Sequence, residues 1–244
     1  MDPRFHSWQR EVEDWHWWYR VRREILDRML SALALDPANA RLLDVGCGTG
    51  GGSLVLAKHG AVTGVDRATE SFRLAPERPY RHRVIAEIDR RLPFADDTFD
   101  VVCALDVLEH LDDDRAGARE VARVCKPGGT VIAFVPAFQL LWGYNDVFSE
   151  HRRRYVRTQL VEILEETGLH AVDSGYFNGM LFVPMLAARL LQRALPKLTE
   201  GMEHPSRRGP LNEVLTQLFR LEVPLVSRRH GLPVGGSTYC VARK

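Results

Sequence analysis

The chain has 244 residues, 45% apolar and 27% charged, which suits one α/β domain with additions and a buried core. A net charge of +1 argues against a bulk polyanion as partner, but the charge is uneven: residues 1–150 carry 19 Lys/Arg against 24 Asp/Glu, and residues 151–244 carry 14 against 8. Cys47, Cys103, Cys125 and Cys240 form neither a C-x-x-C pair nor a zinc-spaced cluster, so reduced thiols in a cytoplasmic protein are expected.

In chain order, Met1-Asp2-Pro3-Arg4 is polar and reads as no secretory leader. Phe5 to Tyr19 is aromatic-rich and merges into a helical pattern from Val21 to Leu35. Arg41 to Val45 predicts the first strand, Ser53 to His59 a crossover helix, and Ala61 to Asp66 the second strand. Arg83 to Ala86 predicts the third strand, Phe99 to Leu105 the fourth, and Asp114 to Cys125 a helix. Lys126-Pro127-Gly128-Gly129 reads as a tight turn before a fifth strand, Thr130 to Val135. A helix follows from Thr158, its expected cap, to Thr167, and then a strand from His170 to Phe177. The segments 179–195 and 211–227 read as added helices around a linker at 196–210, and Ser237 to Ala242 alternates as a last strand. Strands alternating with helices imply a doubly wound, mostly parallel sheet.

The informative segment is Leu42-Leu43-Asp44-Val45-Gly46-Cys47-Gly48-Thr49-Gly50-Gly51-Gly52, a strand running into a glycine-dense turn. Such a turn lets a cofactor lie on bare backbone. Gly46, Gly48 and Gly51 fit the G-x-G-x-x-G of dinucleotide folds, with Asp66 placed for a ribose. Asp44 argues the other way. A carboxylate at the strand tip repels a pyrophosphate and attracts a cation, by roughly 4 kcal/mol for unit charges about 4 Å apart near a surface.

Asp44-x-Gly46-x-Gly48-x-Gly50 resembles the first motif of class I S-adenosylmethionine (SAM) methyltransferases, whose ligand brings a sulfonium and an ammonium in place of phosphates. Gly64-Val65-Asp66, Leu92 to Asp100, Ala104 to Leu111 and Lys126 to Gly129 resemble further motifs of that family in order, over residues 40–178. His16-Trp17-Trp18-Tyr19 and His151-Arg152-Arg153-Arg154-Tyr155 are similar to a bacterial small-molecule subgroup. The resemblance implies a seven-stranded Rossmann-like α/β sheet with an antiparallel last strand, aromatic-rich N-terminal helices, and added helices after strands five and six. It implies a single domain over 1–244, divided into a helical cap (1–38), a SAM-binding core (40–136), substrate-side insertions (137–235) and a last strand (236–244).

The resemblance also implies roles. Gly46, Cys47, Gly48 and Gly50 would carry the methionyl part and ribose, with Asp44 receiving the ammonium directly or through water. Asp66 would take both ribose hydroxyls, followed by Arg67; Glu87 and Asp89 stand equally for the adenine amine, with Ile88 on the ring. Leu105 and Asp106 would lie beneath the sulfonium, Trp18 would face it with Trp17 and Tyr19, and Arg23, beside Arg22, would meet the SAM carboxylate. His151 and His110 are the candidate bases, and Tyr155 joins His151 if that segment is helical. S-adenosylhomocysteine (SAH) would be the product. Without carboxylate/His ligand spacing, no metal is expected.

The basic second half admits an anionic or lipid-like small-molecule acceptor, and the added helices would serve as lid, homodimer interface or peripheral membrane contact. The run 179–195 is too short and too charged to span a bilayer. A nucleic-acid substrate is disfavoured, because Leu105-Asp106-Val107-Leu108 stands where base methyltransferases carry an Asn/Asp-Pro-Pro-Tyr turn. The competing readings are a SAM-binding module without catalysis and an NAD-dependent oxidoreductase.

Overall fold

A computed structural model describes residues 3–195, 208–226 and 231–244. Two helices lead, α1 (Pro3–Val12) and α2 (Trp17–Ser31), broken where the His16 side chain caps α2 by accepting from the Trp18 N–H at 3.3 Å. Strands β1 (Arg41–Val45), β2 (Ala61–Asp66), β3 (His82–Ile85) and β4 (Phe99–Leu105) follow, with the short helices α3 (Ser53–Leu56) and α4 (Thr69–Leu74) between them. Then come α5 (Asp114–Val124), β5 (Cys125–Pro136), α6 (Tyr144–Phe148), α7 (Arg157–Glu165), β6 (His170–Phe177), α8 (Phe182–Ala194), α9 (Pro210–Arg220) and β7 (Ser237–Arg243). The strands form a seven-stranded sheet in the order β3-β2-β1-β4-β5-β7-β6, in which β7 runs antiparallel to both neighbours.

Period-two alternation builds a core on each face. Leu43, Val45, Val102, Ala104, Val131 and Ala133 point to the side of α5 and α7. Leu42, Val101, Cys103, Ile132 and Phe134 point to the side of α2 and Phe219 of α9. Because β1 and β4 are neighbours while the chain between them goes out to β2 and β3, their carboxyl ends bound the crevice where such sheets bind ligands.

Helix α9 is stitched to the chain's opening helices. Asn212 Oδ1 accepts from the Trp17 N–H at 2.9 Å, its amide donates to Trp15 O at 3.1 Å, and Arg20–Glu213 and Arg220–Glu24 ion pairs flank it. The expected linker at 196–210 lies outside the described residues up to position 207.

Several local expectations are corrected. Helix α4 and helix α6 are additional, and α3 ends at Leu56 rather than His59. The turn at Lys126–Gly129 is held inside β5 as a bulge: Phe99 pairs with Cys125 and Val101 already with Thr130, while Gly128 takes φ +76°. Helix α7 begins at Arg157, and its opening is capped by the Gln159 side chain accepting from the Val156 N–H at 2.9 Å, in place of Thr158.

Candidate active site

The turn after β1 needs its glycines. Gly46, Gly48 and Gly50 take φ of +61°, +51° and +82°, and a Cβ on Gly46 would stand 2.5 Å from Val107. The Gly48 N–H donates to Asp66 Oδ2 at 2.8 Å and the Ala68 N–H to Oδ1 at 2.8 Å. Backbone thus fixes the Asp66 carboxylate at the end of β2 and leaves each oxygen a further lone pair.

Below the turn, Asp44 is 2% exposed and accepts from the Tyr80 hydroxyl at 2.7 Å. Burial pushes its carboxyl up to about 7 against the pull of that hydrogen bond, and Asp66 and Glu13 add to the rise. From the other side the turn is clamped by Glu13, whose Oε2 accepts from the Gly51 N–H at 3.1 Å while Oε1 pairs with Arg78 at 2.5 Å. Arg78 also reaches Asp14 at 2.8 Å and Thr49 O at 3.2 Å.

A cavity of about 590 Å³ opens from this turn. Its floor is Val45, Gly46, Gly48, Asp66, Arg67 and the 86–89 segment, and its roof is Phe5, Trp8, Trp17, Trp18, Tyr19 and Arg22 of α1 and α2. Its far end is closed by Leu141, Asn145 and Phe148, with Met185, Ala188, Arg189 and Gln192 of α8. Asp106 enters at the tip of β4 with φ +57°, its N–H held by Phe134 O at 2.9 Å and its carboxylate paired with Arg22. Arg22 is 8% exposed; its guanidinium lies 5.1 Å from the Trp18 ring and 5.6 Å from Phe134, and its Nε has no hydrogen-bond partner. Asn178, in the left-handed region at φ +60°, also lines the cavity with a buried, unpartnered Oδ1.

His110 and His151 meet in the same cavity, ring centroids 4.7 Å apart and edge to face. His151 Nδ1 lies 2.9 Å from Asp146 Oδ1, and Asp146 is fully buried. Burial would raise the Asp146 carboxyl, but hydrogen bonds from His151, Arg154 (2.7 and 3.0 Å) and the Gly143 N–H (2.7 Å) outweigh it and hold it at about 2. An ionised Asp146 only accepts, so His151 carries its proton on Nδ1 and presents Nε2 as the basic nitrogen. Burial, with His151 and Arg67 nearby, draws His110 down to about 3.

Among the described residues, Glu109, His110 and His151 place ligand-type atoms within 4.8 Å of one another, a convergence hidden from sequence by the 40 positions between the two histidines. Glu109 is fully buried with neither oxygen hydrogen-bonded, and burial pushes its carboxyl well up. These are the side chains best placed to hold a metal.

The β1 turn, the acidic end of β2 and the tip of β4 together match the family model of a methyltransferase domain over residues 43–133. Over that stretch the chain is a methyltransferase domain. It is 30% identical over 164 residues to the ubiquinone biosynthesis O-methyltransferase of Idiomarina loihiensis, covering 59% of this chain and 66% of that relative. It is 33% identical over 140 residues to the demethylmenaquinone methyltransferase of Corynebacterium kroppenstedtii, covering 55% and 59%. The matches thus span just under two thirds of the length of these relatives. In fold, it is similar to the methyltransferase solved with the Haloferax volcanii Trm112 activator, at a TM-score of 0.62 and 18% identity, covering 99% and 94% of the two chains.

Of the expected methyltransferase site residues, the cavity gathers Gly46, Gly48, Asp66, Arg67, Glu87, Ile88, Asp89, Leu105, Asp106, Trp18, His110 and His151. Asp44, Cys47, Gly50, Arg23 and Tyr155 lie outside its lining. Asp44 is under the turn, and the buried Cys47 is tied in by its N–H to Val65 O at 3.0 Å. Gly50 packs near Tyr80 and Arg78. Arg23 donates to the carbonyls of Glu13 (2.7 Å) and Asp14 (3.3 Å), so it is Arg22, one position earlier, that reaches the cavity.

The segment 151–156 is not helical, which separates Tyr155 from His151. Tyr155 is buried in the α5–α7 core and donates to Asp114 Oδ2 at 2.8 Å. Arg152 and Arg153 pair with Asp112 and Asp114, pinning this extended segment to the chain after β4, and Arg154 pairs with Asp146 of α6. Glu13, Arg78 and Tyr80 escaped the sequence reading, since each reaches the turn from a segment with no motif of its own. Among the described residues, no helix is long and apolar enough to cross a membrane.

Proposed function

We propose that this chain transfers the methyl group of SAM to a hydroxyl of a small-molecule acceptor, with His151 as general base. The observation that carries this reading is one cavity joining the glycine turn and Asp66 at one end to the Asp146-backed His151 at the other.

The residues fit SAM on their own chemistry. Gly46 and Gly48 offer bare backbone, and Asp66 keeps a free lone pair on each oxygen for the ribose hydroxyls. Arg22 Nε is a buried donor in want of an acceptor and suits the methionyl carboxylate. Asp44 beneath the turn favours the ammonium, directly or through water. Ile88 would carry the adenine, and Asp89 would take its amine, because Glu87 already pairs with Arg90 at 2.9 Å. Leu105, Asp106 and Trp18 would hold the sulfonium end. SAM supplies an electrophilic methyl group.

The protein's part is to hold the acceptor oxygen in line with that methyl under a closed roof, which accounts for much of the acceleration in such displacements. As the new C–O bond forms and the C–S bond breaks, the acceptor's proton passes to His151 Nε2. Asp146 then faces an imidazolium rather than a neutral ring, and the ionised carboxylate stabilises it. The O-methyltransferase name of the Idiomarina relative supports a hydroxyl acceptor. The test is calorimetric titration with SAH and NADH in parallel. SAH binding in the micromolar range with no NADH heat is expected; the reverse would replace methyl transfer by the oxidoreductase reading.

A further inference from the structure

We propose that Arg189 forms an oxyanion subsite at the far end of the cavity, selecting acceptors that carry a carboxylate or phosphate group. This rests on the methyl-transfer reading, because it puts the acceptor in the same cavity.

Of the other arginines lining the cavity, Arg22 pairs with Asp106, Arg152 with Asp112 and Arg154 with Asp146, while the exposed Arg67 stands at the opposite end beside Asp66. Arg189 lines the cavity from α8, and among the described residues no carboxylate pairs with it. Its hydrogen bond runs from Nη1 to the neutral Gln192 Oε1 at 2.6 Å. The nearest acid, Asp146, is already saturated by Arg154, His151 and the Gly143 N–H. Burial first, and then Arg154, pulls the Arg189 pKa down, as expected for a cation short of counter-charge.

Gly143 provides the space in which the guanidinium lies. Its φ of −161° is extended backbone open to any residue, so glycine is not required there by conformation. What it leaves is room: a Cβ would stand 2.5 Å from Arg189 Cζ and 2.6 Å from Nη1, so any larger residue would push this flexible guanidinium aside. The bare backbone lets the planar fork lie flat, beside the apolar wall of Leu141, Phe148 and Met185. A guanidinium presents paired donors matched to two oxygens of a carboxylate or phosphate, and an incoming anion relieves its unpaired burial. The acceptor class is therefore a small molecule with an apolar or aromatic body, an oxyanion at the α8 end and a hydroxyl toward His151.

SAH-loaded protein is titrated calorimetrically with 4-hydroxybenzoate, phenyl phosphate and phenol. One of the two anions should bind at least tenfold tighter than phenol, and which one does so distinguishes carboxylate from phosphate. Arg189→Met should erase that preference with SAH affinity unchanged. Gly143→Ala, which keeps the charge but displaces the fork, should weaken the same anion, whereas Arg193→Gln, removing a nearby charge, should not. Anions no tighter than phenol, or a preference that survives both Arg189→Met and Gly143→Ala, would overturn the subsite. Failure of the wild type to bind SAH would instead sink the methyl-transfer reading and this subsite with it.

Discussion

If Asp44 must be ionised to welcome a cationic cofactor, its buried position makes cofactor affinity steeply dependent on pH. With its carboxyl pushed to about 7, half of the unliganded protein carries the anion at pH 7. At pH 5 about one molecule in a hundred does, so apparent SAH affinity should fall roughly fifty-fold across that interval. Calorimetry in buffers of different ionisation enthalpy should register release of about one proton per SAH bound near pH 5.5. Tyr80→Phe removes a hydrogen bond to the charged form, of roughly 1.5–3 kcal/mol, and should move the midpoint up by about one unit or more. Asp44→Asn should flatten the profile.

Stability of the unliganded protein should follow the same group. Its folded pKa lies above the ordinary 3.8, so its contribution is complete below about 3.8 and is lost as pH rises through 7. The loss amounts to about 4 kcal/mol, and Asp44→Asn should abolish it. A wild-type SAH dissociation constant constant within twofold from pH 5 to pH 7, without proton release, would refute the reasoning.

Further outcomes are expected. Asp66→Ala removes the anchor of two backbone N–H groups as well as the ribose contact, and should weaken SAH by about a hundredfold or more by calorimetry. His151→Gln should lower kcat by about 10²–10⁴ while SAH affinity stays put; an unchanged kcat would remove His151 from the chemistry. Arg78→Met strands the buried Glu13 charge and should cost about 3–5 kcal/mol in urea unfolding, with Glu13→Leu in the same chain restoring much of it.

The floor of the site was legible in sequence because its chemistry is local. The spacing of Gly46, Gly48 and Asp66 follows from one strand–turn–helix unit and its neighbouring strand, and the alternation of Leu42 and Leu43 already separates the two cores. Whatever depended on distant packing was hidden. Nothing near Glu13 or Arg78 announces that they pair with each other against the turn, 65 residues apart. Adjacent Arg22 and Arg23 look equivalent in sequence, yet a helix turns one into the cavity and the other onto carbonyls near residue 13. The helix that would have brought Tyr155 beside His151 does not form, because three arginines are drawn to three separate carboxylates, which an extended strip satisfies and a helix would not.

The stitching of α9 to α2 and the turn before it divides the molecule into two territories. The stretch shared with the family, residues 43–133, holds the cofactor end, while the ceiling and far wall come from 5–22 and 138–192, braced from outside by 210–220. Acceptor choice can therefore drift by remodelling the far wall while Trp18 and Arg22 of the ceiling stay committed to the cofactor end. By the same token, a fragment trimmed to the shared stretch would lose Glu13 from the glycine turn and possess no chamber in which to do chemistry.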